Sequence, residues 1–255
     1  MSNILTETKG GIARIEIDRP DKKNALTAAM YQAMADAIHA AEADAAVRVL
    51  LIHGKADVFT AGNDLQDFLD NPPRDDKRPV FQFLYGISQA QKPIVAAVAG
   101  AAVGIGTTML LHCDLVYAAP NARLQLPFVN LGLVPEAGSS LLLPALAGYQ
   151  RAAELLLLGE SFSAHKAKEL GLVTEVVAEG ELLDTAMAQA KKLAAKPAAS
   201  LRLTKRLMKQ GQMAAVLQQI KLESEQFGER LNSPEAKEAF SAFLEKRKPD
   251  FSRFD

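Results

Sequence analysis

Along the first half of the chain the period of the apolar positions changes repeatedly. Alternation over 13–18 (ARIEID) predicts a half-buried strand. The three-to-four spacing of 27–44 (TAAMYQAMADAIHAAEAD) predicts a helix begun by Thr27, and the unbroken apolar run in 47–54 (VRVLLIHG) predicts a buried strand. The succession returns with FQFLYGISQAQ (81–91) as helix, KPIVAAVAG (92–100) as strand, GIGTTMLLHC (104–113) as helix and DLVYAAP (114–120) as strand. Repeating strand–helix–strand units stack into a sheet or a spiral, so this half reads as an α/β body. From about Tyr149 the period is almost purely helical: 149–159, 163–171, 181–196, 197–211, 214–231 and 233–249, with LVTEVV (172–177) as the one strand. The reading is a body over 1–195 and a helical C-terminal region over 196–255.

Two stretches do not fit a simple strand-and-helix pattern. The segment 93–111 (PIVAAVAGAAVGIGTTMLL) holds nineteen residues without a charge, the length of a membrane span. Gly100, Gly104 and Gly106 punctuate it and a strand-like run follows, which favours a buried strand, a glycine loop and a short buried helix. The second is LGLVPEAGSS (131–140), where Glu136 is the single charged side chain between Leu124 and Gln150. A carboxylate in apolar surroundings costs several kcal/mol unless paired, hydrogen-bonded or protonated. As an isolated feature it reads equally as an acid complementing the dipole of the helix that follows.

Charge and cysteine content narrow the class. Lys plus Arg number 29 and Asp plus Glu 30, so no global field draws the chain to nucleic acid or an anionic membrane. The single cysteine, Cys113, has no internal disulfide partner, and the start MSNILTETKG lacks the charged-then-apolar pattern of a signal peptide. The expectation is a cytoplasmic protein. His39, His53, His112 and His165 are scattered without carboxylate or cysteine at ligand spacing, so no metal site is expected. The proline-rich loop DNPPRDDKRP (70–79) reads as a flap or as a plain connection.

Two glycine-bearing turns carry candidate chemistry: FTAGNDL (59–65) and AGAAVGIGTTM (99–109). A turn that opens a helix leaves backbone N–H groups free to hold an oxyanion. Taken together with NLGLVPEAGSS, with LLLLGESFSAHKAKELGLVTEVV (155–177) and with IARIEIDRPDKKNAL at 12–26, these turns resemble the enoyl-CoA hydratase/isomerase (crotonase) family in order, spacing and type. The resemblance runs from that first segment to FLEKRKPDF at 243–251. It implies a spiral of ββα units with a helical C-terminal region that forms trimers or hexamers. It also implies acyl-CoA thioester substrates, with coenzyme A as part of the substrate and no separate cofactor.

Carried over by resemblance, the oxyanion hole is the backbone N–H of Asn63 and of Ile105. Ala61, Asp64 and Leu65 would line the path of the adenine and pantetheine, and Lys22 stands in the turn RPDKKNAL near the coenzyme, where it is equally a solvated lysine. Phe243 and Lys246, on the terminal helix, would reach the coenzyme of a neighbouring subunit; the bland reading is a terminal helix folded on its own core.

The departures from the family bear on the reaction. The two glutamates with which its hydratases position water fall here on Thr108 and Phe128, which the resemblance leaves beside the substrate without an acid. The family's Δ3,Δ2-enoyl-CoA isomerases carry one acid in the loop where Glu136 stands. One carboxylate suffices for moving a proton from C2 to C4 on one side of a dienolate, and Leu126, Phe128, Leu131 and Val134 are expected to raise its pKa. On this reading Thr108 and Phe128 do not touch the proton. The alternatives are a hydratase or other crotonase-type reaction with a second acid elsewhere, and a non-catalytic acyl-CoA binder.

Overall fold

The structure is a computed structural model that describes residues 3–55, 58–70 and 78–254, without the side chains of 68–70. The reading of the 70–79 loop as flap or connection therefore falls mainly outside the described residues.

Nine strands and ten α-helices follow one another as β1 Ile4–Lys9, β2 Ile12–Ile17, α1 Ala28–Ala43, β3 Val49–Gly54, α2 Leu65–Asp70, α3 Pro79–Gln89, β4 Ile94–Val98, β5 Ala101–Val103, α4 Ile105–Thr108, β6 Leu115–Ala118 and β7 Arg123–Gln125, all among the described residues. Then come α5 Ser139–Ala147, α6 Tyr149–Leu158, β8 Phe162–Ser163, α7 Ala164–Glu169, β9 Glu175–Val176, α8 Leu182–Ala194, α9 Ala198–Leu231 and α10 Pro234–Leu244.

The strands form a six-stranded sheet in the order β1-β2-β3-β4-β6-β9 and a three-stranded sheet β5-β7-β8. After the antiparallel β1–β2 hairpin, every pairing in the larger sheet is parallel. The chain steps from one sheet to the other at each turn of the spiral: β4 passes through Gly100, at φ +58°, into β5, and β6 passes into β7. The turn after β3 joins the same layer where Thr60 bridges Ala102. The expected ββα spiral is present.

Both faces of the larger sheet are covered, which is why its parallel strands read as continuous apolar runs. Leu50, Ile52, Ala96, Val98 and Val116 face the main core with Met34 and Ile38 of α1 and Phe83 and Ile87 of α3. Val49, Leu51, Val95, Ala97 and Tyr117 face Leu182, Ala186 and Ala190 of α8. Thr27 caps α1 as expected, its hydroxyl accepting from the Met30 N–H. The charge-free segment 93–111 is β4, β5 and short helical turns, and no described helix is long and apolar enough to cross a membrane.

The two predicted helices at 197–211 and 214–231 are one, α9, of 34 residues. Gly211 has open space where its Cβ would be, so it costs only the ~1 kcal/mol of an exposed helical glycine and does not break the rod. Its N-terminal half is pinned by Lys205, which is buried and donates to the Lys92 carbonyl (2.8 Å) and to Asp114 Oδ2 (2.7 Å).

Candidate active site

Two turns meet at the start of α4, and glycine lets them meet. A Cβ on Gly62, at φ +90°, would lie 2.9 Å from the Val103 carbonyl oxygen, and one on Gly106 would lie 2.7 Å from the Thr60 methyl. Parallel pairing of Leu26 with Asn63 uses the Gly62 carbonyl (2.8 Å) and the Asp64 N–H (2.9 Å) and leaves the Asn63 N–H out of the ladder. Ile105 is the first residue of α4, so its N–H has no intrahelical acceptor. Neither N–H finds an acceptor among the described residues. Two backbone donors are thereby left free on neighbouring turns.

The RPDKKNAL turn is fastened to this pair by Asn24, a residue the sequence did not single out. Asn24 is fully buried in the left-handed region (φ 56°). Its amide donates to the Val58 carbonyl at 2.7 Å and its Oδ1 accepts from the Arg19 N–H at 2.8 Å. Lys22 is exposed on that turn, while Ala61 donates its N–H to the Lys23 carbonyl (3.0 Å). Asp64 pairs with Arg19 at 2.7 Å and accepts from the Asp67 N–H (3.1 Å), just ahead of Leu65 and helix α2.

Glu136 lines a cavity of about 30 Å³ with Asn63, Val80, Phe81, Leu84, Ser224 and Phe227. Burial pushes its pKa up to about 8; the Thr108 hydroxyl opposes the shift, and the negative charge of Glu223 adds to it. The apolar environment is the expected one, but α3 and α9 supply the lining, whereas Leu126 and Phe128 are buried in the core. Asn63 is fixed by Tyr31, whose hydroxyl donates to its Oδ1 at 2.5 Å. The Tyr31 pKa is itself driven up, by burial and then by the charge of Glu136.

Thr108 requires a correction. It is fully buried and its hydroxyl donates to Glu136 Oε1 at 2.5 Å, so it touches the group that would hold the proton. Thr108 is thus a hydrogen-bond donor to the buried carboxylate.

Glu136 does not serve as the dipole-complementing acid of α5. That helix begins at Ser139, and its N-terminal N–H groups are taken by Glu223 of α9: Oε2 accepts from Gly138 at 2.6 Å and Oε1 from the Ser140 N–H at 2.9 Å. On the other side of the same loop, His112 Nε2 lies 2.8 Å from the Ala137 carbonyl oxygen. Burial and then the charge of Lys209 hold the His112 pKa down at about 4, so the ring is neutral and that nitrogen carries the proton it donates. Phe243 and Lys246 are exposed at the end of α10 and do not line the Glu136 cavity. Among the described residues no cluster of three or more His, Cys, Asp or Glu side chains is placed to hold a metal ion.

The family model described as enoyl-CoA hydratase/isomerase matches residues 7–253. The chain is 34% identical over 259 residues to the "1,2-epoxyphenylacetyl-CoA isomerase" of Escherichia coli, covering 99% of both chains. It is 35% identical over 245 residues to a "Probable enoyl-CoA hydratase" of Bacillus subtilis, covering 94% of this chain and 95% of that one. Among solved structures, Pseudomonas aeruginosa OdaA superposes with a TM-score of 0.94 at 47% identity, over 96% of this chain and 99% of that chain. Two free backbone donors, a buried carboxylate that shares a cavity with the first of them and a spiral that agrees with these relatives from end to end have one reading: the chain has the crotonase fold and belongs to the enoyl-CoA hydratase/isomerase family.

Proposed function

We propose that the chain is an enoyl-CoA isomerase that moves a double bond from C3 to C2 of an acyl-CoA thioester, with Glu136 as the acid and base. The observation that carries this reading is the composition of the cavity: Glu136 is the sole carboxylate among the described residues that line it. The resemblance, moreover, sets the positions of the two hydratase acids at Thr108 and Phe128. A pair of carboxylates is what water addition needs; a proton shuttle needs one.

The Asn63 and Ile105 N–H groups would receive the thioester oxygen as negative charge develops on it. Fixed backbone dipoles suit that task, since they undergo no reorganisation, and one such donor is worth ~3 kcal/mol in other enzymes. On this reading Ala61, which precedes the first donor, and Asp64 and Leu65, which follow it, line the path of the adenine and pantetheine, with Lys22 on the turn fastened to them near the coenzyme. Val80, Phe81, Leu84 and Phe227 make most of the described lining apolar, so few groups beside Glu136 are there to take the proton, which favours its return to the dienolate. The raised pKa makes the carboxylate a stronger base once it ionises.

Self-association to a trimer or hexamer belongs to the same reading. Met208 (71% exposed), Phe243 (62%) and Leu244 (59%) leave apolar surface on α9 and α10 that a monomer would expose to water. Phe243 and Lys246 would then serve a neighbouring subunit's coenzyme. The test of the reaction is to incubate the protein separately with 3-enoyl-CoA and 2-enoyl-CoA. Growth of conjugated thioester absorbance from the first without its loss from the second supports the isomerase; rapid loss from the second supports a hydratase; neither, with retained thioester binding, supports a binder.

A further inference from the structure

The peptide between Ala137 and Gly138 lies one residue beyond Glu136. Its backbone is in an unusual conformation: Ala137 sits at φ +61° and Gly138 at φ +72°. A non-glycine residue in the left-handed region costs ~1–3 kcal/mol and persists only where its surroundings hold it. Two buried side chains hold this one, and they take the two ends of a single peptide plane. His112 Nε2–H donates to the carbonyl oxygen of Ala137 at 2.8 Å, and Glu223 Oε2 accepts from the N–H of Gly138 at 2.6 Å. His112 comes from the turn after α4, and Glu223 from the C-terminal half of α9.

Glu223 is held in turn. Its other oxygen accepts from both the N–H (2.9 Å) and the hydroxyl (2.5 Å) of Ser140, and Gln219 Nε2 donates to that hydroxyl at 2.8 Å. Both partners are 2–5% exposed, so each bond is made away from water and each lost partner would leave a buried polar group unpaired. Burial raises the Glu223 pKa, while the Ser140 and Gly138 donors favour its ionised form, in which its bonds are charge-assisted. A peptide plane hydrogen-bonded at both ends resists rotation, and rotation there would move the Glu136 backbone one residue before it.

We infer that His112 and Glu223 are positioning residues: together they lock the Ala137–Gly138 peptide and so set where the Glu136 carboxylate stands in the cavity. This inference rests on the reading of Glu136 as the base. Neither side chain lines the cavity, so neither touches the substrate in this scheme. Glu223 acts in addition through its charge. Among the described residues the groups coupled to Glu136 are Thr108 from α4, Glu223 from α9 and the neutral Tyr31 from α1, whose ionisation the charge of Glu136 opposes; removing the negative charge of Glu223 eases ionisation of Glu136.

The experiment compares His112→Leu, His112→Gln, Glu223→Gln and Glu136→Gln on 3-enoyl-CoA, with KM, kcat, pH profile and thermal midpoint for each. His112→Leu and Glu223→Gln are expected to lower kcat by ~10-fold or more, the scale of a group displaced by about 1 Å, with KM within about twofold. His112→Gln, whose amide can donate from the same place, is expected to regain most of the loss. Glu223→Gln is expected to move the acid limb of the kcat/KM profile to lower pH. The inference is overturned if His112→Leu and Glu223→Gln keep kcat within about twofold of wild type, or if His112→Leu and His112→Gln lose equally. Should His112→Leu fail to fold, the kcat and the pH limb of Glu223→Gln decide. Loss in Glu136→Gln with none in the others defeats the positioning role alone; full activity in Glu136→Gln defeats the base itself, whatever the others do.

Discussion

Glu136 carries a pKa near 8 because burial penalises its charge more than the Thr108 hydroxyl supports it, and that has two opposite consequences. As a base it must be ionised, so kcat/KM is expected to rise with pH through a limb near 8, measurable as initial isomerase rates across pH 6 to 9.5. For stability the sign reverses. The folded protein holds this proton more tightly than the unfolded chain, whose carboxyl titrates near 4.5, so the contribution of Glu136 to stability is largest below 4.5 and declines up to about 8. Denaturant midpoints should fall with pH over that window in the wild type and less so in Glu136→Gln. Thr108 works on the same balance: as its hydroxyl favours the ionised form, Thr108→Val, which keeps the shape and removes the donor, is expected to shift the activity limb upward in pH. An unshifted limb would mean that the hydroxyl does not bond the carboxylate in solution.

At the scale of elements, the strands and helices that sequence periodicity revealed are those whose burial is regular. The β2, β3, β4 and β6 strands have a buried face or two, and their apolar runs show it. β1 escaped because five of its six residues are exposed, leaving no apolar period to read; it is an edge strand held by backbone pairing to β2. The run LVTEVV contributes only a two-residue strand, since most of its apolar residues pack rather than pair. The same division applies to the site. Glu136 was legible because it is one charge in a long apolar stretch, and the two glycine turns because their spacing is distinctive. Thr108, His112 and Glu223 were not legible as its supports, for their bonds to the Glu136 loop span 28, 25 and 85 residues and leave no local trace. The buried Lys205 was hidden in the same way, as one of several lysines on an amphipathic rod. Lys205→Met should leave Asp114 without its cation and free the N-terminal half of α9, a loss of about 3 kcal/mol that a urea titration would register. A midpoint unchanged within error would show that the pair contributes nothing net.

For the whole molecule, α9 and α10 do two jobs on opposite sides. Inward, they brace the loop of the base: Glu223 grips Gly138, Arg230 donates to the Gly132 carbonyl at 3.1 Å, and α10 lies so close that a Cβ on Gly132 would meet the Ala236 nitrogen at 2.7 Å. Outward, they present the exposed Leu207, Met208, Phe243 and Leu244. Subunit packing on the outer surface would stiffen the inner one. Light scattering at micromolar concentration is expected to give three or six times the 27.4 kDa chain mass. A monodisperse monomer would sever the assembly from the site.

The central claim is that one carboxylate moves the proton, and the most direct measurement is the turnover of Glu136→Gln on 3-enoyl-CoA at saturating substrate. The amide fills the same space and can still accept a hydrogen bond from Thr108, so the fold and thioester binding should persist while the base is gone. Turnover is expected to fall by ~10²-fold or more, the usual scale for a positioned general base, with binding of the thioester retained. A folded Glu136→Gln that turns over 3-enoyl-CoA at nearly the wild-type rate would contradict the account, and the search for the proton's carrier would move to another residue.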